Sequence, residues 1–237
     1  MSDMPTDSLS DFAYKDLRSR ITTLEIPPGR SFTEAQIALE LGLSKTPVRE
    51  ALTRLRQEGF VIVEPGSGYR AAEVTIRDTR ELFALRVLLE GEVAALAASQ
   101  AVGMANLRQL EELCTSTYAP ADTGSVDRFL EANTQFHLMV SRASGSARLA
   151  QLLEVMLVQM ERLFRIGLLL SSRAEEIVHE HRALLEAIMA GDAEMARKVA
   201  VAQVRASQRM VIDALVSSDE VTTRPIALPR LETSGHG

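Results

Sequence analysis

The chain has 237 residues, enough for two domains, and a formal net charge of −6, which argues against a non-specific nucleic-acid coat but leaves room for a site-specific binder with locally clustered cations. No long apolar run is present, so no membrane span is expected, and the first residues lack the basic-then-apolar pattern of a secretion signal. The single cysteine, Cys114, cannot form an internal disulfide, which matches a reducing, cytoplasmic setting.

Met1 to Asp11 is polar and is expected to be flexible. Phe12 to Leu24 reads as a helix with Phe12, Leu17, Ile21 and Leu24 toward a core, stopped by Pro27-Pro28-Gly29. Arg30 is either a phosphate contact or an ordinary solvated loop arginine. Phe32 to Leu41 reads as a short helix, with Thr33 and Gln36 spaced as a capping box and Ile37, Ala38 and Leu41 on its apolar side. Gly42 ends it, Ser44 caps the next helix, and Pro47 falls in the first turn, where its missing N–H costs little.

The helix from Lys45 to Glu58 carries two stripes. Val48, Leu52, Leu55 and, at the edge, Ala51 share one side. Lys45, Arg49, Thr53 and Arg56 share an adjacent strip bordered by Thr46. Alone, this is what any amphipathic surface helix looks like. With a preceding helix and a glycine turn it makes a helix-turn-helix, whose cations and hydroxyls can reach phosphates and base edges. Four Lys/Arg against one Glu between Leu41 and Arg56 place the cations where a DNA contact needs them. Val61 to Val63, a turn cluster from Pro65 to Gly68, and a return at Tyr69 predict a two-stranded wing tipped by Gly66, Ser67 and Gly68. The predicted DNA-binding domain spans 12–72, and 73–77 is the linker.

The run LGLSKTPVREALTRLRQEGFV followed by PGSGY closely resembles the DNA-binding domain of the GntR family of bacterial transcription regulators, from about Tyr14 to Arg70. The resemblance implies operator contacts by Ser44, Lys45, Thr46 and Arg49, with wing contacts at Gly66 and Gly68. Some members have a Glu-Arg pair on the preceding helix. Here it reads Glu34-Ala35, so that arginine contact is absent.

From Asp78 to Val216 apolar residues recur at helical spacing through about six helices: Asp78 to Gln100, Asn106 to Thr117, Val126 to Ala143, Ala147 to Leu170, Ala174 to Ala190 and Ala193 to Val216. The first has an expected core stripe of Leu82, Leu85, Leu89, Val93 and Leu96. Residues 217–237 lack periodicity and are expected to be a flexible tail; His236 there carries no assignment. Arg86 and Glu90 lie four apart on one face of the first helix, either as a surface ion pair or as a buried pair facing a carboxylate ligand. Asn133 and His137 are also four apart, His181 lies on the fifth helix, and Gln203 on the last. His179 points to a different face from His181 and is set aside.

This half resembles the FCD ligand-binding domain that follows the GntR head in the FadR subfamily. Arg86, Leu89 and Glu90 match its first element, Asn133 and His137 its second, and His181 its third. The fourth position, a histidine in the family, is Gln203. The resemblance implies a divalent metal (Zn, Ni or Mn) on Asn133, His137 and His181, with Gln203 in place of the third imidazole. Losing that imidazole, with no carboxylate in the set, weakens any such site. The other reading is a metal-free cavity in which Arg86, Glu90, Asn133, His137, His181 and Gln203 bind an effector or satisfy one another.

The expected protein is mainly α: an N-terminal winged helix-turn-helix with a two-stranded wing, and a C-terminal all-α bundle over 78–216. The implied function is a cytoplasmic regulator, a repressor by the commoner mode of such families. It would bind double-stranded operator DNA with an inverted repeat as a homodimer and respond to a small carboxylate metabolite. The rival is a helical metal-dependent enzyme using His137 and His181, which lacks a carboxylate ligand and a nearby general base.

Overall fold

A computed structural model describes residues 8–100 and 104–217. Among these residues the chain forms two compact units, one ending at Val74 and one running from Thr75 to Val216.

The first unit opens with α1 (Leu9–Thr22), capped by the Ser8 side chain on the Asp11 amide. The helix therefore begins within the segment expected to be flexible, and residues 1–7 lie outside the described part. Its core face is Ala13, Tyr14, Leu17 and Ile21. Phe12, expected inside, is half exposed, because the apolar stripe is set one position further along. Leu24 lies beyond the helix in left-handed backbone, with φ 67°.

Next come β1 (Ser31–Phe32), α2 (Glu34–Leu41) and α3 (Lys45–Gln57). Thr33 and Gln36 form the expected capping box, which starts the helix at Glu34 and leaves Phe32 extended. Gly42 closes α2 at φ 66°, where a left-handed glycine carries little penalty. Ser44 occupies the N-cap of α3, but its hydroxyl makes no capping bond. Val48, Ala51, Leu52 and Leu55 are buried as the stripe requires. Tyr14 of α1 closes the back of α3, donating its hydroxyl to Glu58 at 2.8 Å while the Arg54 guanidinium lies 3.6 Å over its ring.

The wing hairpin is β2 (Val61–Glu64) and β3 (Gly68–Ala71). It is part of a three-stranded antiparallel sheet in the order β1-β3-β2, one strand more than expected, because Ser31 and Phe32 pair with Arg70 and Tyr69. A two-residue strand has no periodicity to betray it.

The second unit is α4 (Ile76–Ala98), α5 (Met104–Leu113), α6 (Thr123–Ala143), α7 (Ala147–Leu170), α8 (Ala174–Met189) and α9 (Ala193–Ser217). Asp122 and Ser146 cap α6 and α7, and α8 ends into Gly191 at φ 70°. The core joins Val93, Ala94 and Ala97 of α4 to Phe136 and Val140 of α6, Leu184 and Ile188 of α8, and Ala196 and Ala200 of α9. The buried face of α4 is not the expected leucine stripe. Thr79, Phe83, Arg86, Glu90, Val93, Ala94 and Ala97 face inward, while Leu85 is 53% exposed and Leu82, Leu89 and Leu96 are only partly covered. The helix is turned so that an ion pair, rather than leucines, enters the bundle. The tail after Ser217 lies outside the described residues.

Candidate functional site

In the head, the outward strip of α3 is fully presented: Ser44, Lys45, Thr46, Arg49, Thr53 and Arg56 are all exposed. The uncapped Ser44 hydroxyl is open to a phosphate oxygen. The Thr53 hydroxyl is occupied, donating to the Arg49 carbonyl at 2.8 Å. Arg49 is held by Glu34 at the start of α2. Its Nε donates to Glu34 Oε1 at 3.0 Å and Oε2 at 3.1 Å, and its Nη2 donates to Oε2 at 2.8 Å. The Tyr69 hydroxyl donates to the same carboxylate at 3.2 Å. The Arg49 bond, despite some burial, holds the Glu34 carboxyl below its ordinary value.

At the wing tip, Gly66 and Ser67 are exposed, and nothing lies within 4 Å of where a Gly66 side chain would start. Gly68 has a reason internal to the head. It sits at φ 109°, and a Cβ there would meet the Phe32 carbonyl at 2.7 Å, so β1 can lie this close only to a glycine.

In the helical unit, Arg86, Glu90, His137, His181 and Gln203 are all at least 96% buried. Arg86 Nε donates to Glu90 in a close ion pair. His137 Nδ1 lies 3.0 Å from the other Glu90 oxygen, and its Nε2 lies 3.3 Å from Arg86 Nη2, the arrangement of an imidazole that donates to the carboxylate and accepts from the guanidinium. Burial pushes the Glu90 carboxyl up, but Arg86 and then His137 outweigh it and bring it to about 2. His181 stacks on Phe136 at 4.2 Å and lies 5.4 Å from His137. Burial, then the neighbouring His137 and Arg86, keeps His181 neutral well below its ordinary range. Asn133 and Gln203 line a small pocket with Phe129, Phe164, Ile177 and Ser207. Phe164 also lies under the Arg86 guanidinium at 4.8 Å. Ser207, one turn after Gln203 on α9, could have been found by that spacing.

Within this cluster, Arg86 Nη1, His181 Nε2 and Gln203 Oε1 are buried without a hydrogen-bond partner among the described residues. Such atoms are costly unless a ligand or water meets them. The donor set does not fit a divalent ion. Both His137 nitrogens are engaged, and a metal on its Nε2 would sit against the guanidinium cation. Among the described residues no group of three His, Cys, Asp or Glu is placed to hold a metal. The Arg86 cation stands where metal coordination would need a free imidazole. His179 is exposed, away from this cluster.

Stability of this unit is expected to fall on acidification in two stages. An unfolded His181 takes a proton near 6.5 while the folded one resists, so stability is lost as pH falls below about 6.5. The Glu90 contribution is complete above 4.5 and is lost as pH falls from there toward about 2. Urea midpoints measured from pH 8 to pH 4 should decline, and His181→Leu should flatten the upper part of that decline. A flat wild-type profile between pH 7 and pH 5 would contradict a buried neutral His181.

The profile described as "Bacterial regulatory proteins, gntR family" matches residues 9–70, and that of the FCD domain matches residues 81–206. The chain is 28% identical over 199 residues to the uncharacterised HTH-type transcriptional regulator YdhC of Bacillus subtilis, covering 83% of this chain and 87% of that one. It is 30% identical over 195 residues to an uncharacterised HTH-type transcriptional regulator in an unstable DNA locus of Streptomyces ambofaciens, covering 81% and 80%. Among solved structures, E. coli McbR/YncC superposes with a TM-score of 0.72 at 26% identity, over 87% of this chain and 98% of that one.

Proposed function

We propose, from the premise that the chain belongs to the gntR family of bacterial regulatory proteins and carries an FCD domain, that this transcription regulator is a metabolite-responsive repressor. The observation that carries the DNA-binding part is the division of α3, which buries Val48, Ala51, Leu52 and Leu55 and exposes Ser44, Lys45, Thr46, Arg49 and Arg56. A homodimer would present two such helices to the halves of an inverted repeat in double-stranded operator DNA. The effector would be a small organic acid bound within the helical unit, meeting Gln203 Oε1 in the pocket and, once the buried cluster beside it opens, Arg86 Nη1 with its carboxylate and His181 Nε2 with another polar group. It regulates only if it binds the DNA-competent and DNA-incompetent arrangements with different affinity. The action is metal-free, and the protein works in the cytoplasm; no described helix is long and apolar enough to cross a membrane.

The test is a gel shift of the purified chain with duplex DNA from upstream of its own gene, repeated over a range of salt. Binding to a discrete fragment is expected, weakening steeply with salt as phosphate contacts displace counterions. Equal, weak binding to every fragment would sink the regulator reading. A chelator is expected to change nothing; its abolishing binding would restore the metal.

A further inference from the structure

Arg49 projects from the recognition helix with its side chain 64% exposed, yet it is not free to swing. Glu34 at the start of α2 grips it through Nε and Nη2, and Tyr69 of β3 steadies Glu34 from the other side. The Tyr69 ring is stacked on Phe32 of β1, 6.5 Å between centroids and 14° from parallel. One carboxylate thus ties together the helix before the turn, the recognition helix and the wing. Lys45 and Arg56, the neighbouring exposed cations of α3, have no hydrogen bond or ion pair of this kind among the described residues.

We infer that Glu34 is a positioning residue that makes Arg49 a reader of guanine. This rests on the DNA-binding reading above and goes further by naming the base and the residue that selects it. A guanidinium has five N–H groups in one plane. Glu34 takes the Nε–H and one Nη2–H, on one edge of the fork. Nη1 has no protein partner among the described residues, so one Nη1–H and the second Nη2–H remain parallel at the free end of the fork. Two parallel N–H groups match the O6 and N7 acceptors that guanine shows in the major groove. Adenine would set its N6 donor against one of them, cytosine offers a donor, and thymine offers one acceptor beside a methyl group. The carboxylate also repels the phosphates that would otherwise capture the cation, and it removes side-chain freedom before DNA arrives. Lys45 and Arg56, without such a partner, suit phosphate contact, which carries no sequence information.

The experiment is selection of bound sequences from a random duplex library by the full-length wild-type chain and by the Arg49→Ala, Arg49→Lys, Glu34→Gln and Tyr69→Phe variants. Competition binding on the selected wild-type duplex, with the indicated base changed, then follows. The wild-type motif should contain a guanine in each half-site, preferred by about tenfold or more over other bases, and absent from the Arg49→Ala motif. Arg49→Lys should bind without that preference, because an ammonium has no fork. Glu34→Gln should still bind but prefer the guanine by less than about threefold, with a gain on non-specific DNA from the freed cation. Tyr69→Phe should fall between it and wild type. Thermal unfolding of each variant checks folding, and the base preference is a ratio that a uniform loss of stability does not move. An unchanged guanine preference in Glu34→Gln overturns the inference, as does a wild-type motif with no Arg49-dependent guanine. If the wild-type chain enriches no sequence at all, the DNA-binding reading itself fails and takes this inference with it.

Discussion

Arg86→Ala is expected to destabilise the helical unit by about 3–5 kcal/mol, because it strands a buried carboxylate. Arg86 is 1% exposed and Glu90 4%, and the Glu90 carboxyl is ionised only through Arg86 and His137. The single variant therefore confuses effector loss with unfolding. Replacing both partners, Arg86→Met with Glu90→Gln, removes the pair without leaving a charge behind and should recover most of the stability. On that double variant the expected result is intact DNA binding and no effector response. Glu90→Gln alone removes the anion that already neutralises Arg86, so it should sharpen the response of the melting temperature to a simple carboxylate such as acetate. Urea unfolding of the three variants checks the first claim. Wild-type stability in Arg86→Ala would mean the pair is not buried in solution. A full effector response in the double variant would take Arg86 out of the ligand site.

Arg49→Ala should weaken binding to the chain's own operator by about 1–3 kcal/mol for each half-site, or roughly 5- to 150-fold, and more for a dimer that uses two. Two effects add. The base contact is lost, and Glu34 is left near the phosphates without the cation that balances it. The melting temperature should stay close to wild type, since an exposed ion pair contributes little to folding. A gel shift on the wild-type operator, paired with a thermal melt, reads both quantities. Unchanged operator affinity would remove α3 as the reading helix.

The head was legible in the residues because its signals are local. The Thr33–Gln36 capping box, Gly42 and the Val48–Leu55 stripe each act within a few positions, and each appears where the spacing put it. The grip of Glu34 on Arg49 was not legible. It joins residues fifteen apart on two packed helices, and Tyr69 reaches Glu34 only because β1 pairs with β3, a two-residue strand that no local pattern encodes. The same limit explains Gly68, whose requirement is the Phe32 carbonyl above it.

In the second unit, the sequence by itself determined an all-helical chain of about six helices, their approximate ends, and the spacing that puts Arg86 with Glu90 and Asn133 with His137; the described residues form α4 to α9. Helical periodicity is a property of the chain, and it survives whatever the helix packs against. Which face turns inward was decided only in the tertiary structure. Hydrophobicity alone points Leu85 into the core, but α4 packs with Leu85 outside and Arg86 and Glu90 inside, because His137 of α6 contacts both partners of the pair and Phe164 of α7 lies under the guanidinium. A charge enters a core only when its partners are already there, and those partners lie 51 and 78 residues along the chain, counting from Arg86 to His137 and to Phe164. That packing also decided the character of the buried polar cluster. The sequence offered Asn133, His137 and His181 to a metal, with Gln203 in place of a third histidine. The fold set a guanidinium against one imidazole and left Arg86 Nη1, His181 Nε2 and Gln203 Oε1 buried without hydrogen-bond partners among the described residues.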